Sequence, residues 1–262
     1  MIRAMNSAAS GMEAQQLRID SISNNLANVN TTGYKKGRAE FQDLIYQTLK
    51  APSASSSGAE AASGGIQIGH GTRTVATQRD YSQGEPIATQ NPLDLAINGT
   101  GFFQVIMPDG TTAYTRDGSF KLSADGALVT SDGYPVEPEI TLPTDTASIS
   151  IDSEGVVSVI LIGETEPQEV GQIELARFIN PVGLTSLGQN LVKPTVASGD
   201  AIVGSPGTEG FGTLLQGYLE GSNVEIVQEM VDMIIAQRAY EINSKAIRTA
   251  EDMLSVASNL KR

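Results

Sequence analysis

SNVEIVQEMVDMIIAQRAYEINSKAIRTAEDMLSVASNL, residues 222–260, is the stretch that decides the fold. No Gly or Pro interrupts it, and Ser222 and Glu225 have the spacing of a capping box, in which the Ser222 hydroxyl accepts the Glu225 backbone N–H. Apolar side chains recur about every 3.6 residues, which is the helical period. The sequence therefore predicts one long helix, about 55–60 Å at about 1.5 Å per residue. The apolar stripe consists of Val224, Val227, Val231, Ile235, Ala239, Ile242, Ala246, Ala250, Met253, Ala257 and Leu260.

A second apolar series lies near the N-terminus, with steps of three and four residues and one break at Gln15. This heptad spacing predicts a helix whose seam packs in a coiled coil. Asn30-Thr31-Thr32-Gly33 should end the helix near Asn30, because Gly33 can adopt a positive φ. A small β-rich centre could not cover both helices along their lengths, so we expect the helices to pair and to keep apolar surface for partners.

The middle of the chain has a different pattern, with Asp-Gly pairs at 109–110, 117–118, 125–126 and 132–133 between short strand-like runs. Such pairs predict consecutive hairpins and an antiparallel meander. The fold class is therefore α+β, with long N- and C-terminal helices pairing as a coiled coil and a mainly antiparallel β middle domain. The predicted segments are an N-terminal helical segment 1–50, a low-complexity connector 51–65 (APSASSSGAEAASGG), a β-rich domain 66–212 and a C-terminal helical segment 213–262.

Composition excludes several classes of protein. The chain has 17 Lys and Arg against 30 Asp and Glu, and 18 of the acidic residues lie within 51–200, which disfavours nucleic-acid binding. Without Cys and with His70 as the single histidine, we expect no metal, no cofactor and no catalytic residue. No stretch has the roughly 20 apolar residues of a membrane span, and the first thirty residues lack the apolar core of a cleaved signal peptide.

Four motifs in order resemble one known family. They are SNNLANVNTTGYKK (23–36), NPLDLAINGTGFFQV (91–105), MPDGTTAYTRDGSF (107–120) and SNVEIVQEMVDMIIAQRAYEINSKAI (222–247). The first and last resemble the two signatures of the flagellar rod and hook protein family, and the middle two resemble its distal-rod members.

The resemblance implies a structural subunit of the basal-body distal rod and not an enzyme. Such subunits polymerise helically into a rigid hollow drive shaft that carries torque from motor to hook through the periplasm, with the helices inside and the β-domain outside. The implied partners are further copies of the chain, proximal rod proteins, the hook, the ring proteins that act as a bushing, and the flagellar type III export apparatus, which exports the chain uncleaved. Residues 51–65 fall where the resemblance implies a segment linked to a straight, stiff rod.

Two alternatives remain open at this point. The chain could be another flagellar axial protein, from the hook or the proximal rod. It could also be a β-rich carbohydrate-active enzyme, which would need two convergent carboxylates in a cleft.

The predicted assembly residues belong to the two signatures and the two apolar stripes. In the N-terminal part they are Met5, Met12, Ile19, Ile22, Asn25, Leu26, Asn28, Val29, Thr31, Gly33 and Tyr34. In the C-terminal part they are Ser222, Asn223, Val224, Val231, Ile235, Gln237, Arg238, Tyr240, Ala246, Ala250, Met253 and Leu260.

Overall fold

The computed structural model describes residues 2–50, 65–143, 145–163 and 166–259. The chain forms two compact units, which we call unit 1 and unit 2. Unit 1 comprises Met1–Leu26, Gly37–Gln78 and Glu225–Arg262, and unit 2 comprises Ala27–Lys36 and Arg79–Val224. Each unit is therefore assembled from segments that are distant in the sequence. Most of the predicted connector, residues 51–64, lies outside the described residues.

Unit 1 contains two long helices and two short β-ribbons. Its elements are α1 (Ile2–Ala27), β1 (Gly37–Asp43), β2 (Tyr46–Lys50), β3 (Ile66–Gly69), β4 (Thr72–Arg79) and α2 (Ile226–Asn259). β1 pairs with β4, and β2 pairs antiparallel with β3. Both helices predicted from the sequence are present, although α1 ends three residues before Asn30 and α2 begins four residues after Ser222.

Gly37–Asp43 and Tyr46–Lys50, which the sequence prediction placed in the N-terminal helical segment, form strands instead, and so do Thr213–Gln216 and Tyr218–Glu220 of the predicted C-terminal helical segment. The physical reason is visible after the helix ends, because Ala39 and Phe41 alternate with Arg38, Glu40 and Gln42, which is the period of a strand. The ribbon of β1 and β4 runs beside α1. The Gly37 carbonyl accepts hydrogen bonds from Ser21 Oγ at 3.1 Å and Asn25 Nδ2 at 2.9 Å, and the Thr72 N–H donates to Ser10 Oγ at 3.3 Å.

Unit 2 is built from short strands. They are β5 (Pro86–Ala88), β6 (Leu95–Asn98), β7 (Phe102–Ile106), β8 (Thr112–Thr115), β9 (Lys121–Leu122), β10 (Leu128–Val129), β11 (Val136–Glu137), β12 (Thr146–Ile151), β13 (Val156–Leu161), β14 (Gln168–Gln172), β15 (Leu175–Arg177), β16 (Thr185–Gly188), β17 (Leu191–Lys193), β18 (Ile202–Gly204), β19 (Thr213–Gln216) and β20 (Tyr218–Glu220). A 3-10 helix, Pro181–Gly183, precedes β16.

The largest sheet of unit 2 has seven strands in the order β16-β17-β8-β7-β15-β18, with β11 also pairing with β7. A three-stranded sheet, β12-β13-β14, and the pairs β6–β19, β5–β20 and β9–β10 complete the described strands. The pairs within unit 2 are antiparallel, as the Asp-Gly turns predict.

The predicted meander is correct in part. β7–β8 and β9–β10 are hairpins, and Gly110 and Gly126 have the positive φ that such turns require. β8 and β9 do not pair, because the chain between them turns away at Gly118, whose carbonyl accepts the Leu95 N–H at 3.1 Å. β17 occupies the edge of β8 instead, so a long-range pairing separates the β7–β8 hairpin from the β9–β10 hairpin.

The core of unit 2 lies between the seven-stranded sheet and the three-stranded sheet. It contains Phe103 and Phe120, whose rings meet edge to face with centroids 5.0 Å apart, and the fully buried Leu95, Ile97 and Val159. A second apolar cluster lies on the other face of the large sheet, around Phe102, Tyr114 and Phe178. Unit 2 is therefore stabilised by its own core.

Candidate assembly site

The two helices of unit 1 pair antiparallel. Asn25 Nδ2 donates to Glu229 Oε2 at 3.1 Å, and Arg18 donates to Asp232 Oδ1 at 2.9 Å. Further from these contacts, a Cβ added to Gly11 would lie 2.9 Å from Asn243 Nδ2. From one of these contacts to the next, the residue number decreases along α1 and increases along α2. The two helices are therefore antiparallel.

The face of α2 that is buried within the chain carries small and polar residues. Glu229, Ala236, Asn243 and Ala250 are seven residues apart, and all are buried except Asn243, which is half-buried. Seven-residue spacing is the repeat of a coiled coil. On the α2 side, the seam within the chain therefore uses small side chains and hydrogen bonds more than large apolar side chains.

The large apolar side chains of α2 lie on the exposed part of the helix. The exposed set consists of Ile226, Val227, Met230, Val231, Ile234, Ile235, Tyr240, Ile242, Met253 and Val256. Val227 is 69% exposed and Ile242 is 67% exposed, although a helix in a folded domain normally buries such residues. This exposed apolar face of α2 runs along most of the helix.

The predicted C-terminal assembly residues differ in their burial. Val231, Ile235, Gln237, Arg238, Tyr240, Ala246 and Met253 are exposed, whereas Val224 and Ala250 are buried. Leu260 lies outside the described residues. Most of the predicted stripe thus lies on the exposed face, whereas Ala236 and Glu229 of the buried face were missed because small and charged residues carry no hydrophobic signal.

The predicted assembly residues of α1 are less exposed than those of α2. Ile22 and Asn25 are buried, and Met5, Met12, Ile19 and Leu26 are half-buried. Asn28, Val29, Thr31 and Gly33 are half-buried in the segment that follows the helix, and Tyr34 is buried in unit 2.

The signature segment after α1 is a tight turn in unit 2. The Thr31 N–H donates to the Asn28 carbonyl at 3.1 Å, and Gly33 has a φ of +66°. A Cβ on Gly33 would lie 2.7 Å from the Asp117 backbone nitrogen, so both the φ and the close approach require glycine. The Arg79 guanidinium lies 5.4 Å from the centre of the Tyr34 ring, a cation–π contact.

A buried cluster of three charged residues, which we call the charge cluster, anchors this segment. Glu220 Oε1 accepts from Lys35 Nζ at 2.5 Å and from the Gly84 N–H at 3.0 Å, and Glu220 Oε2 accepts from Arg116 at 3.1 Å. All three charged side chains are almost completely buried. Burial lowers the pKa of Lys35 and of Arg116, and Glu220 opposes both shifts. The cluster contains two cations and one anion.

Asn223 links the segment that precedes α2 to the same region of unit 2. Its Oδ1 accepts the Lys36 N–H at 2.8 Å, and its Nδ2 donates to the Asp80 carbonyl at 2.8 Å. The predicted capping box is wrong, because Ser222 Oγ accepts the Val224 N–H at 3.3 Å and α2 begins only at Ile226. Asn223, not Ser222, makes the contacts that hold this segment.

Glu220 and Arg116 were missed by sequence reasoning. Nothing in a sequence distinguishes a buried carboxylate from the many exposed carboxylates of an acidic chain. Among the described residues, no group of three or more His, Cys, Asp or Glu side chains is arranged to hold a metal ion. No described helix is long and apolar enough to cross a bilayer.

Three family models match the chain. The flagellar hook protein FlgE/F/G D1 domain matches residues 96–159, the flagellar basal body rod FlgEFG protein C-terminal region matches 215–260, and the flagella basal body rod protein model matches 5–35. The chain is 55% identical to the flagellar basal-body rod protein FlgG of Borreliella burgdorferi over the whole of both chains. It is 50% identical to FlgG of Caulobacter vibrioides over 99% of this chain and all of the relative, and 43% identical to FlgG of Bacillus subtilis over all of both chains.

These matches cover both helices and the β-rich middle in the same order as the sequence motifs. The family is a structural one, so the chain is not an enzyme. The chain belongs to the flagellar basal-body rod protein family.

Proposed function

We propose that the chain is the subunit of the distal rod, and that its copies polymerise helically into a rigid hollow shaft that transmits torque from the motor to the hook. The exposed apolar face of α2 is the observation that supports this proposal. The chain belongs to the rod protein family, and its relatives match it over the full length. Both findings favour the distal rod over the hook and over a carbohydrate-active enzyme.

The energetics favour assembly over a lasting monomer. Burying one large aliphatic side chain contributes about 1.5–3 kcal/mol. The ten side chains of the exposed face are 40–69% exposed, so burying the rest of their surface contributes roughly half of that amount each, on the order of 10 kcal/mol in total, which is large enough to offset an association cost of roughly 4–15 kcal/mol. A face of this length needs partners along the whole helix, which a helical array of copies supplies.

We assign the helices of unit 1 to the inside of the shaft and unit 2 to the outside. The proposed assembly residues are those given above for the two signatures and stripes, with Val231, Ile235 and Met253 meeting neighbouring copies. Ala250 acts within the subunit, because it is already buried there. The charge cluster and Asn223 serve assembly indirectly by fixing the segments next to both helices.

The proposed partners beyond the chain itself are proximal rod proteins, the hook, the ring proteins and the type III export apparatus. The rod would cross the periplasm. The net charge of −13 supports the view that nucleic acid is not a partner.

The test uses the full chain at increasing concentration, followed by sedimentation velocity and electron microscopy. Wild type should form tubes above a threshold concentration. The variant Val231→Gln/Ile235→Gln should stay monomeric with unchanged unit 2 stability, because Gln keeps helix propensity but removes apolar surface.

Glu251→Gln is the matched control, since Glu251 is an exposed polar position on the same helix. It should polymerise as wild type does. Normal tubes from the double variant would reject the exposed apolar face of α2 as the driving surface.

A further inference from the structure

The seven-stranded sheet of unit 2 ends in two strands that have a strand partner on one side only. β16 pairs with β17 and β18 pairs with β15, and no other described strand adjoins their outer edges. Because neighbouring strands are about 4.8 Å apart, the five spacings between these strands separate the two edges by about 24 Å. The two open edges therefore lie at opposite ends of the sheet.

The segment that carries both edges differs in charge from the rest of unit 2. Residues 81–177 contain 15 acidic and 3 basic side chains, whereas residues 178–208 contain only Asp200 and Lys193. Like charges oppose contact between copies over most of unit 2. The neutral segment is the part of this unit where two copies can approach without that repulsion.

Both edges also expose apolar side chains. Leu187 on β16 and Val203 on β18 are each about half exposed. Ile179, two residues after β15, and Val196, six residues before β18, are almost wholly exposed, and their loops are joined by the Asn180 N–H, which donates to the Ser198 carbonyl at 3.4 Å. Apolar side chains are therefore exposed on both edge strands and in these two loops of the neutral segment.

The two edge strands lack the Lys and Pro that protect many sheet edges, although β16 contains a register shift between Ser186 and Gly188 and β18 has only three residues. Natural edge strands carry Lys or Pro to prevent pairing with another chain. Thr185-Ser186-Leu187-Gly188 and Ile202-Val203-Gly204 contain neither. The two charges of the segment are opposite, with Lys193 across from Thr185 and Asp200 two residues before Ile202.

We propose that β18 of one copy pairs with β16 of the next copy, so that the sheet continues from subunit to subunit. This inference rests on the proposed polymerisation. Two different edges on opposite sides make a head-to-tail contact, which leaves one open edge at each end and so produces a polymer in place of a closed dimer. The pairing would satisfy the outer backbone groups of both strands.

The test uses the absence of cysteine in the chain. Leu187→Cys/Val203→Cys is polymerised and treated with a short bismaleimide, and the products are separated under denaturing conditions. We expect a ladder of covalent oligomers, because each subunit would be joined to two others. Either single variant should give no ladder.

Leu187→Cys/Ile162→Cys is the matched control, because Ile162 is exposed in unit 2 but follows β13 and lies on neither edge. Assembled polymer without a ladder from the first pair, or with equal ladders from both pairs, would overturn the inference. Absence of polymer from the wild type would instead reject the proposed function.

A second variant tests the edge without a cross-linker. Val203→Lys places a charge on β18, and natural edge strands use such charges to prevent pairing with another chain. We expect the threshold concentration for assembly to rise about tenfold, whereas Leu122→Lys, at a similarly exposed position of β9, should not raise it. If Val203→Lys keeps the thermal stability and the threshold of wild type, β18 does not pair between copies.

Discussion

The charge cluster is the residue-scale feature that sequence reasoning did not find. Glu220 is the single anion between Lys35 and Arg116, and all three side chains are nearly inaccessible. The guanidinium also donates to the Gly99 carbonyl at 2.8 Å and lies over the Phe102 ring. Removing the anion should therefore lower the free energy of unfolding by a different amount than removing one of the two cations.

We predict that Glu220→Gln destabilises unit 2 by about 3–5 kcal/mol, since it leaves two buried cations without a counter-charge. Lys35→Met should cost clearly less, because Glu220 keeps Arg116 as its partner. Urea unfolding of the full chain, followed by a tyrosine signal, measures both. Equal losses from the two variants would contradict the role of Glu220 as the shared anion.

The pH dependence of stability gives Lys35→Met a second readout. Burial lowers the pKa of Lys35 from its ordinary 10.5. Between the lowered pKa and 10.5, the unfolded chain holds a proton that the folded chain has released, so the contribution of Lys35 to the free energy of unfolding rises with pH across this window. Urea midpoints measured up to pH 10.5 should show that the variant lacks this rise.

At the scale of elements, α2 has two faces with different tasks. One face buries Ala236 and Ala250 within the chain, and the other exposes Val231 and Ile235. The 3.6-residue period predicted the helix correctly, but a period cannot tell a face that packs inside the subunit from one that meets a neighbour. Only the position of α1 separates the two.

Two alanines in α2 provide the element-scale prediction. Ala250→Leu should destabilise the helix pair in the isolated subunit by about 1–3 kcal/mol, because the added atoms have no space at a buried position. Ala246→Leu lies at an exposed position and should change the subunit by less than about 0.5 kcal/mol. Thermal circular dichroism at low concentration compares them.

Both alanine variants should impair polymerisation, for different reasons. Ala250→Leu disturbs the pairing of α1 with α2, whereas Ala246→Leu adds bulk on the face offered to the next copy. Tubes of normal appearance from Ala246→Leu would exclude close helix packing between copies at this position.

At the scale of the whole molecule, the polypeptide passes between the two units four times. Unit 1 takes its elements from both ends of the chain and from residues 37–78, and unit 2 takes the rest. Most of the connector predicted at 51–65 lies outside the described residues, but the strands on either side of it, β2 and β3, are described. Lys50 and Ile66 are cross-strand partners in the β2–β3 ribbon.

This register allows a defined shortening of the loop. Replacing residues 51–65 with Asn-Gly should keep β2 and β3 paired, because a two-residue turn of this type joins antiparallel strands. We expect unchanged thermal stability of unit 2 and tubes that are curved or more compliant than wild type. Electron microscopy of tube curvature measures this effect, and straight tubes of wild-type stiffness would reject a bracing role for the segment.

The sequence by itself determined the two helices, the α+β class, the hairpin turns and the family, because each depends on local signals: apolar period, Asp-Gly turns and contiguous motifs. Gly33 is an example, since its predicted positive φ is confirmed. The tertiary structure alone decided that residues 37–50 are strands of unit 1, that β17 lies beside β8, and that Glu220 meets Lys35 and Arg116. The contacts of β17 with β8 and of Glu220 with Lys35 and Arg116 join residues 75 or more positions apart, and the burial that gives such contacts their energy exists only once the chain has folded.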